Sequence, residues 1–196
     1  MTNPENTNLK LCLINSLYFD ILILPETHCL LGQTLIIDNY IVYQHNRSNQ
    51  GNARKGSGGI AIAIHWSILN SHSVVSVVKG DDGQLAIVLK NRDNDFTVGI
   101  LALYLPPEGY VYGRDPEMFF NKAAIFWDSL ADCDLVVGGG VLNSRTKELP
   151  DYIPDIDGQL VPKRHNPDKF RNKHGDSFIT FLKDQRSVIL NGRITP

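Results

Sequence analysis

A series of short apolar segments limits the fold of this chain more than any other feature of its sequence. Each segment is shorter than ten residues, is rich in β-branched side chains and is bounded by turn residues, and this pattern predicts β-strands. Several are apolar at successive positions, which is typical of strands that are covered on both faces. The predicted strands lie at residues 9–15, 20–26, 58–65, 73–78, 85–90, 96–104, 134–139 and 187–192.

Two segments have helical periodicity. In the first, residues 115–132, Asp115 can cap the helix and Pro116 suits its first turn. Its predicted apolar side consists of Phe119, Ile125, Trp127 and Leu130. The second segment, residues 175–185, places Phe178, Phe181 and Leu182 on one side. Many strands with few helices predict an α/β fold built around a β-sandwich.

Composition excludes some classes of protein. The chain has 196 residues, of which 42% are hydrophobic and 20% charged, and its net charge is −2. These values are ordinary for a globular protein, and there is no basic surplus of the kind that nucleic-acid-binding proteins often carry. Two basic stretches, residues 47–56 and 162–175, are read as solvated loops, with phosphate contact as the alternative. No apolar run reaches the ~20 residues that a membrane-spanning helix needs.

The three cysteines, Cys12, Cys29 and Cys133, are odd in number and lack the spacing of a metal site. We expect buried free thiols in a reducing compartment, and therefore an intracellular protein, nuclear or cytoplasmic. Residues 1–8 are polar and do not resemble a signal peptide, so we expect a flexible N-terminus. No organic cofactor motif is recognised, because Gly58 and Gly59 precede a strand rather than the helix of a nucleotide-binding loop. A β-bulge or close backbone approach is their expected role.

Polar residues stand at the ends of several predicted strands. They are Asn15, Glu26, His28, Tyr104 and Asn143. A carboxylate with amide oxygens and waters suits a hard divalent cation, magnesium above all, and tyrosine or asparagine can orient a phosphate or an attacking water. Each of these residues, taken singly, can also be interpreted as an ordinary surface or turn residue. Zinc is disfavoured, since no second histidine lies at ligand spacing from His28.

The order of the segments is more specific than any of them alone. The series "LKLCLIN", "DILILPETH", "KGSGGIAIAI", "GILALYLPPE", "DLVVGGGVLNSR", "NKHGDSFITFLKD" and "VILNGRITP" resembles the endonuclease domain of LINE-type (non-LTR) retrotransposons. That domain belongs to the endonuclease/exonuclease/phosphatase superfamily, with DNase I and the abasic-site endonucleases. The resemblance covers residues 9–196. It implies a DNase I-like four-layer sandwich, two β-sheets flanked by helices, that cleaves DNA phosphodiesters with Mg²⁺.

The resemblance also implies roles for four residues. Glu26 matches the metal-binding glutamate, and Asn15 matches an asparagine near the metal. Tyr104 matches the tyrosine that helps hold the phosphate. Asn143 matches the asparagine of a Gly-Asp-Phe-Asn turn. Arg47, Gly113, Arg114 and Asp115 match less defined positions and receive no catalytic role.

Three departures from the family pattern affect the expected activity. Val141 occupies the position of the turn's aspartate, which helps to position or deprotonate the attacking water. The four residues 16–19 replace the usual first helix. The family's last strands and its final Asp-His pair have no counterpart, since His165 and His174 lie in other segments. We therefore expect a C-terminally incomplete domain with weak or lost Mg²⁺ binding and impaired or absent cleavage.

Three functions follow from this comparison. The first is a magnesium-dependent DNA endonuclease domain of retroelement origin, impaired or inactive. The second is a non-catalytic remnant that retains weak binding of nucleic acid or protein. The third is a phosphatase of the same superfamily, which the retroelement-like motifs make the least favoured.

Overall fold

A computed structural model describes residues 19–48, 57–153, 161–162 and 164–193 of the chain. Within them, seven strands form a three-stranded and a four-stranded sheet. The strands are β1 (Ile21–Pro25), β2 (Tyr40–His45), β3 (Ile60–His65), β4 (His72–Lys79), β5 (Gln84–Asn91), β6 (Thr97–Tyr104) and β7 (Leu135–Val141). The helices are α1 (Ile68–Ser71), α2 (Pro116–Asp128) and α3 (Lys173–Asp184), with a 3₁₀ turn at Val111–Gly113.

The three-stranded sheet has the order β1-β3-β2, and both outer strands run antiparallel to β3. Strand β3 reads IAIAIH, and its first five residues are buried. Isoleucine and alanine therefore alternate on a strand that is covered on both faces, as the continuous apolar run predicts. The register pairs Ile23 with Ile62 and Val42 with Ala63.

The four-stranded sheet has the order β4-β5-β6-β7. Its two inner strands are the most buried, since Leu85, Ile87 and Leu101 have no exposed surface. Side chains of both sheets meet in one hydrophobic core: Ile60, Ile62, Ile64, Leu85, Ile87, Leu89, Ile100, Ala102 and Tyr104. The predicted two-sheet β-sandwich of an α/β protein is thus confirmed.

The chain divides into two compact units. The first contains the described residues up to Tyr104 together with Leu130–Gly140, and so holds both sheets. The second contains Leu105–Ser129 and the described residues from Val141 onward.

Helices α2 and α3 of the second unit pack together through aromatic rings. The ring of Phe120 lies 5.5 Å from those of Phe178 and Phe181, and Trp127 meets Phe181 edge-on at 5.9 Å. Aromatic pairs at these separations add to the stability that burial alone provides. The predicted apolar side of α3 is confirmed, since Phe181 and Leu182 are buried and Phe178 is half-buried.

The apolar side predicted for α2 was partly wrong. Ile125 is 71% exposed, while Phe120 and Ala123 are the buried residues. The buried side of α2 is the one that packs against α3, where Phe120 contacts Phe178 and Phe181. The start of the helix was predicted correctly, because the Asp115 side chain accepts a hydrogen bond from Met118 N and Pro116 is the first helical residue.

Two strand predictions were also wrong. Strand β2 was not predicted, although it pairs with β3 along its whole length. Residues 187–192 were predicted as a strand but form a loop, in which Ile189 N donates to the carboxylate of Asp151 at 2.6 Å. A side chain thus satisfies a backbone group that a neighbouring strand would otherwise bind. The predicted strand at 9–15 and Cys12 lie outside the described residues.

Two further sequence predictions can be compared with the structure. Cys29 and Cys133 form no disulfide bond in the described structure, and they are half-buried rather than buried. In the described part of the chain, no helix is long and apolar enough to cross a membrane.

Candidate functional site

The hydroxyl of Tyr104 donates a hydrogen bond to Oε1 of Glu26 at 2.7 Å. Glu26 follows the last residue of β1, and Tyr104 is the last residue of β6, so two strands of different sheets bring the side chains together. The tyrosine residue is only 4% exposed, whereas Glu26 lies at the surface. A ring fixed in the core therefore orients a carboxylate that solvent and ligands can reach.

The backbone around Glu26 is unusual. Glu26 and His28 have φ values of 58° and 55°, in the left-handed region that residues other than glycine seldom adopt. Two hydrogen bonds hold the loop, from Thr27 N to Gly59 O at 3.3 Å and from His28 N to Gly58 O at 2.8 Å. Strained backbone of this kind is concentrated at functional sites, where the surrounding structure maintains it.

The two glycines before β3 allow that contact. A Cβ at Gly59 would lie 2.5 Å from Oγ1 of Thr27, and one at Gly58 would lie 2.7 Å from Cζ of Arg47. Both residues also have positive φ. The hydrogen bonds that their carbonyl oxygens accept from Thr27 N and His28 N fit close backbone approach, one of the two roles expected from the sequence.

A second glycine turn supports Tyr104. Tyr104 N donates to Gly83 O at 2.8 Å, and a Cβ at Gly83 would lie 2.3 Å from Tyr104 O. Next to this glycine, Asp82 accepts from Ser48 N at 3.1 Å and lies 3.8 Å from Nε of the buried Arg47. The tyrosine is thereby fixed through its backbone as well as through its ring.

Strand β7 requires a glycine at its penultimate position. Gly140 has φ +143°, and a Cβ there would lie 1.8 Å from Leu103 O. The next residue, Val141, is 43% exposed and accepts a hydrogen bond from Leu105 N through its carbonyl oxygen at 3.0 Å. Its side chain therefore gains little from burial at a position where the resemblance places an acid.

Asn143 lies at the surface of the second unit with φ 49°. Its Nδ2 donates to Leu105 O at 2.8 Å. Asn172, the residue that caps α3, donates through its own Nδ2 to Asn143 O at 2.9 Å. Backbone and side chain of Asn143 are therefore both held in place.

The described structure places the predicted site residues as follows. Glu26 and Tyr104 are in direct contact in the first unit, while Asn143 belongs to the second. Asn15 lies outside the described residues. Among the described residues, no group of three or more His, Cys, Asp or Glu side chains could together hold a metal ion.

Sequence reasoning missed the residues that support the site. Gly83 and Asn172 were not singled out, and His174 was considered only as a counterpart of the family's final histidine. The sequence "RNKHGD" did carry a signal, because an asparagine directly before a helical segment is a common cap. No sequence signal links Asn172 to Asn143, which lies 29 residues earlier.

Solved structures with the same fold include enzymes that act on phosphate esters. An AP endonuclease, LMAP from Leishmania major, is 15% identical and superposes with a TM-score of 0.58 over 72% of this chain and 51% of its own. ANGEL2, a 2′,3′-cyclic phosphatase, is 16% identical, with a TM-score of 0.51 over 80% and 53%. The catalytic domain of human Nocturnin is 16% identical, with a TM-score of 0.50 over 72% and 57%.

These likenesses define the class of fold. The two-sheet sandwich matches the DNase I-like fold of these solved structures. The chain spans about half the length of the solved structures that it matches. No family model and no curated protein matches the sequence.

Proposed function

We propose that this chain is a magnesium-dependent, phosphodiester-cleaving DNA endonuclease domain of retroelement origin in which cleavage is impaired. The observation that carries the proposal is the 2.7 Å hydrogen bond from Tyr104 to Glu26 at the ends of β6 and β1. It joins the two residues to which the resemblance assigns phosphate and metal binding. The similarity of fold to an AP endonuclease supports the same class of reaction.

The donor set fits a weakly bound magnesium ion. Mg²⁺ is commonly held by one or two carboxylates together with waters and substrate phosphate, and Glu26 supplies one carboxylate at the surface. When bound, the ion would polarise a phosphoryl oxygen as a Lewis acid. The Tyr104 hydroxyl keeps Oε1 of Glu26 in one orientation. Asn143 receives its role from the resemblance alone, which implies that its amide orients a phosphate or the attacking water.

Impairment follows from the side chain at position 141. The family acid at this place helps to position or deprotonate water, and general-base catalysis is worth roughly 10²–10⁴-fold in rate. Valine can neither accept a proton nor bind a cation. Because Val141 is 43% exposed, an acid would have room there without disturbing a packed core.

Plasmid nicking tests the proposal. Supercoiled DNA is incubated with the purified chain, with Mg²⁺ or with chelator, alongside Glu26→Gln and Val141→Asp. We expect slow nicking that requires Mg²⁺ and is lost in Glu26→Gln, and a rate at least ~10-fold higher in Val141→Asp. Glu117→Gln, an exposed position in the first turn of α2, is the matched control and should behave as the parent chain. Nicking that persists in Glu26→Gln would contradict the assignment of the metal ligand.

A non-catalytic nucleic-acid-binding domain is the second candidate. The exposed Val141 favours it, since a chain that no longer cleaves has no need of an acid at this position. Binding without nicking in either the parent chain or Val141→Asp, with affinity that falls as salt is raised, would support this candidate.

A phosphatase is the third candidate, and the observation in its favour is the shared fold with ANGEL2, a 2′,3′-cyclic phosphatase. Turnover of a 2′,3′-cyclic nucleotide or a small phosphomonoester by a chain that fails to nick plasmid would select it.

A further inference from the structure

We propose that Asn172 and His174, at the N-terminus of α3, are positioning residues that hold the turn carrying Asn143. We refer to this turn, residues 141–145, as the Asn143 turn. The proposal rests on the proposed function, because it assigns to the pair the task of presenting the Asn143 amide to substrate. It is carried by side-chain contacts that a helix cap alone does not require.

Asn172 makes three hydrogen bonds through its side chain. Its Oδ1 accepts from Gly175 N at 2.9 Å, which is the ordinary bond of a helix cap. The same oxygen accepts from Arg145 N at 2.8 Å, and Nδ2 donates to Asn143 O at 2.9 Å. A side chain that would normally serve its own helix therefore also binds two backbone groups of the Asn143 turn.

His174 contacts the Asn143 turn from inside the protein. The residue has no exposed surface. Nε2 lies 2.6 Å from Gly113 O, and Nδ1 lies 3.3 Å from Leu142 O. The imidazole ring thereby connects the 3₁₀ turn with the residue that precedes Asn143, while the backbone N of His174 donates to Glu108 Oε1 at 3.4 Å.

The helix approaches the Asn143 turn very closely. A Cβ at Gly175 would lie 2.1 Å from Arg145 O, and Asn172 N donates to that same oxygen at 3.1 Å. No other residue could stand at position 175 without moving one of the two segments apart. Asn143, with φ 49°, thus sits in a turn held by Asn172, His174 and the backbone of α3.

Position 172 separates helix capping from positioning. In Asn172→Asp the carboxylate can still accept from Gly175 N and Arg145 N, and its charge suits a helix N-terminus. It has no N–H, so it cannot donate to Asn143 O. In Asn172→Ala both functions are lost. Asn121→Asp, on the exposed side of α2, is the matched control for the change from amide to acid.

The first readout does not depend on activity. One Nδ2 proton of Asn143 donates to Leu105 O, so the side-chain amide should give a resolved, slowly exchanging signal in ¹H–¹⁵N NMR spectra. We expect Asn172→Asp to keep the melting temperature of the parent chain but to shift or broaden this signal, and Asn172→Ala to lower the melting temperature as well. If Asn172→Asp leaves the Asn143 signal unchanged, Asn172 is a helix cap only and the proposal is overturned.

The second readout is the dissociation constant for a short DNA duplex in the presence of Mg²⁺. Loss of one positioning bond should weaken binding roughly 3- to 10-fold in Asn172→Asp and leave Asn121→Asp unchanged. Unchanged binding together with a changed Asn143 signal would remove the link to substrate and overturn the proposal. If the parent chain binds no DNA, the proposed function fails, while the NMR comparison still decides whether Asn172 holds the Asn143 turn.

His174→Gln tests the other half of the pair. Glutamine can replace one hydrogen-bond donation to a carbonyl oxygen, but it lacks the rigid ring whose two nitrogens lie 2.6 Å from Gly113 O and 3.3 Å from Leu142 O. We expect the Asn143 signal to shift in this variant, whereas His165→Gln, at an exposed histidine, should leave it in place. A His174→Gln chain that is folded and has an unchanged Asn143 signal would exclude the histidine from this role.

Discussion

At the scale of single residues, an exposed acid of this chain is held by groups of the neighbouring strand. Asp134 accepts from both the backbone N and the Oγ1 of Thr97 through Oδ2, each at 2.8 Å. Hydrogen bonds of this kind favour the ionised form of a carboxyl group. The bonds from the Thr97 backbone and hydroxyl accordingly lower the pKa of Asp134 below its ordinary value.

This lowered pKa leads to a prediction about pH. A carboxyl whose pKa is lower in the folded state contributes stability above its unfolded pKa of ~3.9, and loses that contribution as pH falls through the folded value. Asp134→Asn should therefore be less stable than the parent chain at neutral pH, with the difference shrinking as the solution becomes acidic. Urea unfolding at several pH values measures this. Asp132→Asn, an exposed neighbour, is the control, and a difference independent of pH would count against the explanation.

At the scale of secondary-structure elements, the start of a helix was predicted correctly where neighbouring residues determine it. Asp115 and Pro116 begin α2 as their types predict, because the carboxylate binds Met118 N and proline needs no hydrogen-bond acceptor there. The buried side of the same helix was predicted less well, since Phe120 is buried and Ile125 exposed. Which side of α2 is buried depends on its packing against α3, which lies more than forty residues further along the chain.

The cap of α2 can be tested by substitution. Asp115→Ala leaves the amide of Met118 without its acceptor, and the loss of such a cap costs about 1 kcal/mol. Asp115→Asn should cost much less, because asparagine also caps helices. Chemical denaturation of the three chains measures the difference. Equal losses in the two variants would show that the negative charge, rather than the hydrogen bond, stabilises this end.

At the scale of the whole molecule, the described part of the four-stranded sheet has apolar side chains exposed on both outer strands. Val75 and Val77 of β4 are 54% and 39% exposed, and Leu135 and Val137 of β7 are 48% and 39% exposed. Outer strands with exposed apolar residues can pair with another chain. We therefore predict that these two edges promote aggregation of the chain.

Lysine on the outer strands should suppress such self-association. We expect Val77→Lys and Val137→Lys to stay monomeric at higher protein concentrations than the parent chain, because charge at an edge opposes the pairing of strands. Light scattering after size-exclusion chromatography measures the mass. Ile125→Lys, at an exposed apolar residue of α2, is the control. If it improves solubility equally, general surface charge explains the effect and the edges do not.

The sequence by itself determined most strands of the two sheets and both long helices. Strand composition, turn residues and helix caps act over a few neighbouring positions, so the local sequence is enough to predict them. Strands β1 and β3 to β7 and both long helices lie where the pattern predicts them. The sequence also indicated Glu26 and Tyr104 as candidate site residues. It could not show that the Tyr104 hydroxyl lies 2.7 Å from Oε1 of Glu26. Strand β2 was missed because its polar end, Gln44 and His45, obscures the apolar pattern that pairing with β3 requires.

Only the tertiary structure decided which distant groups meet. The side chain of Asp151 binds Ile189 N and so keeps residues 187–192 out of a sheet, although their composition suits a strand. Asn172 and His174 reach the Asn143 turn from about thirty residues away. Such contacts depend on the path of the whole chain, because a hydrogen bond needs its two groups within ~3 Å, and local propensity carries no information about that distance.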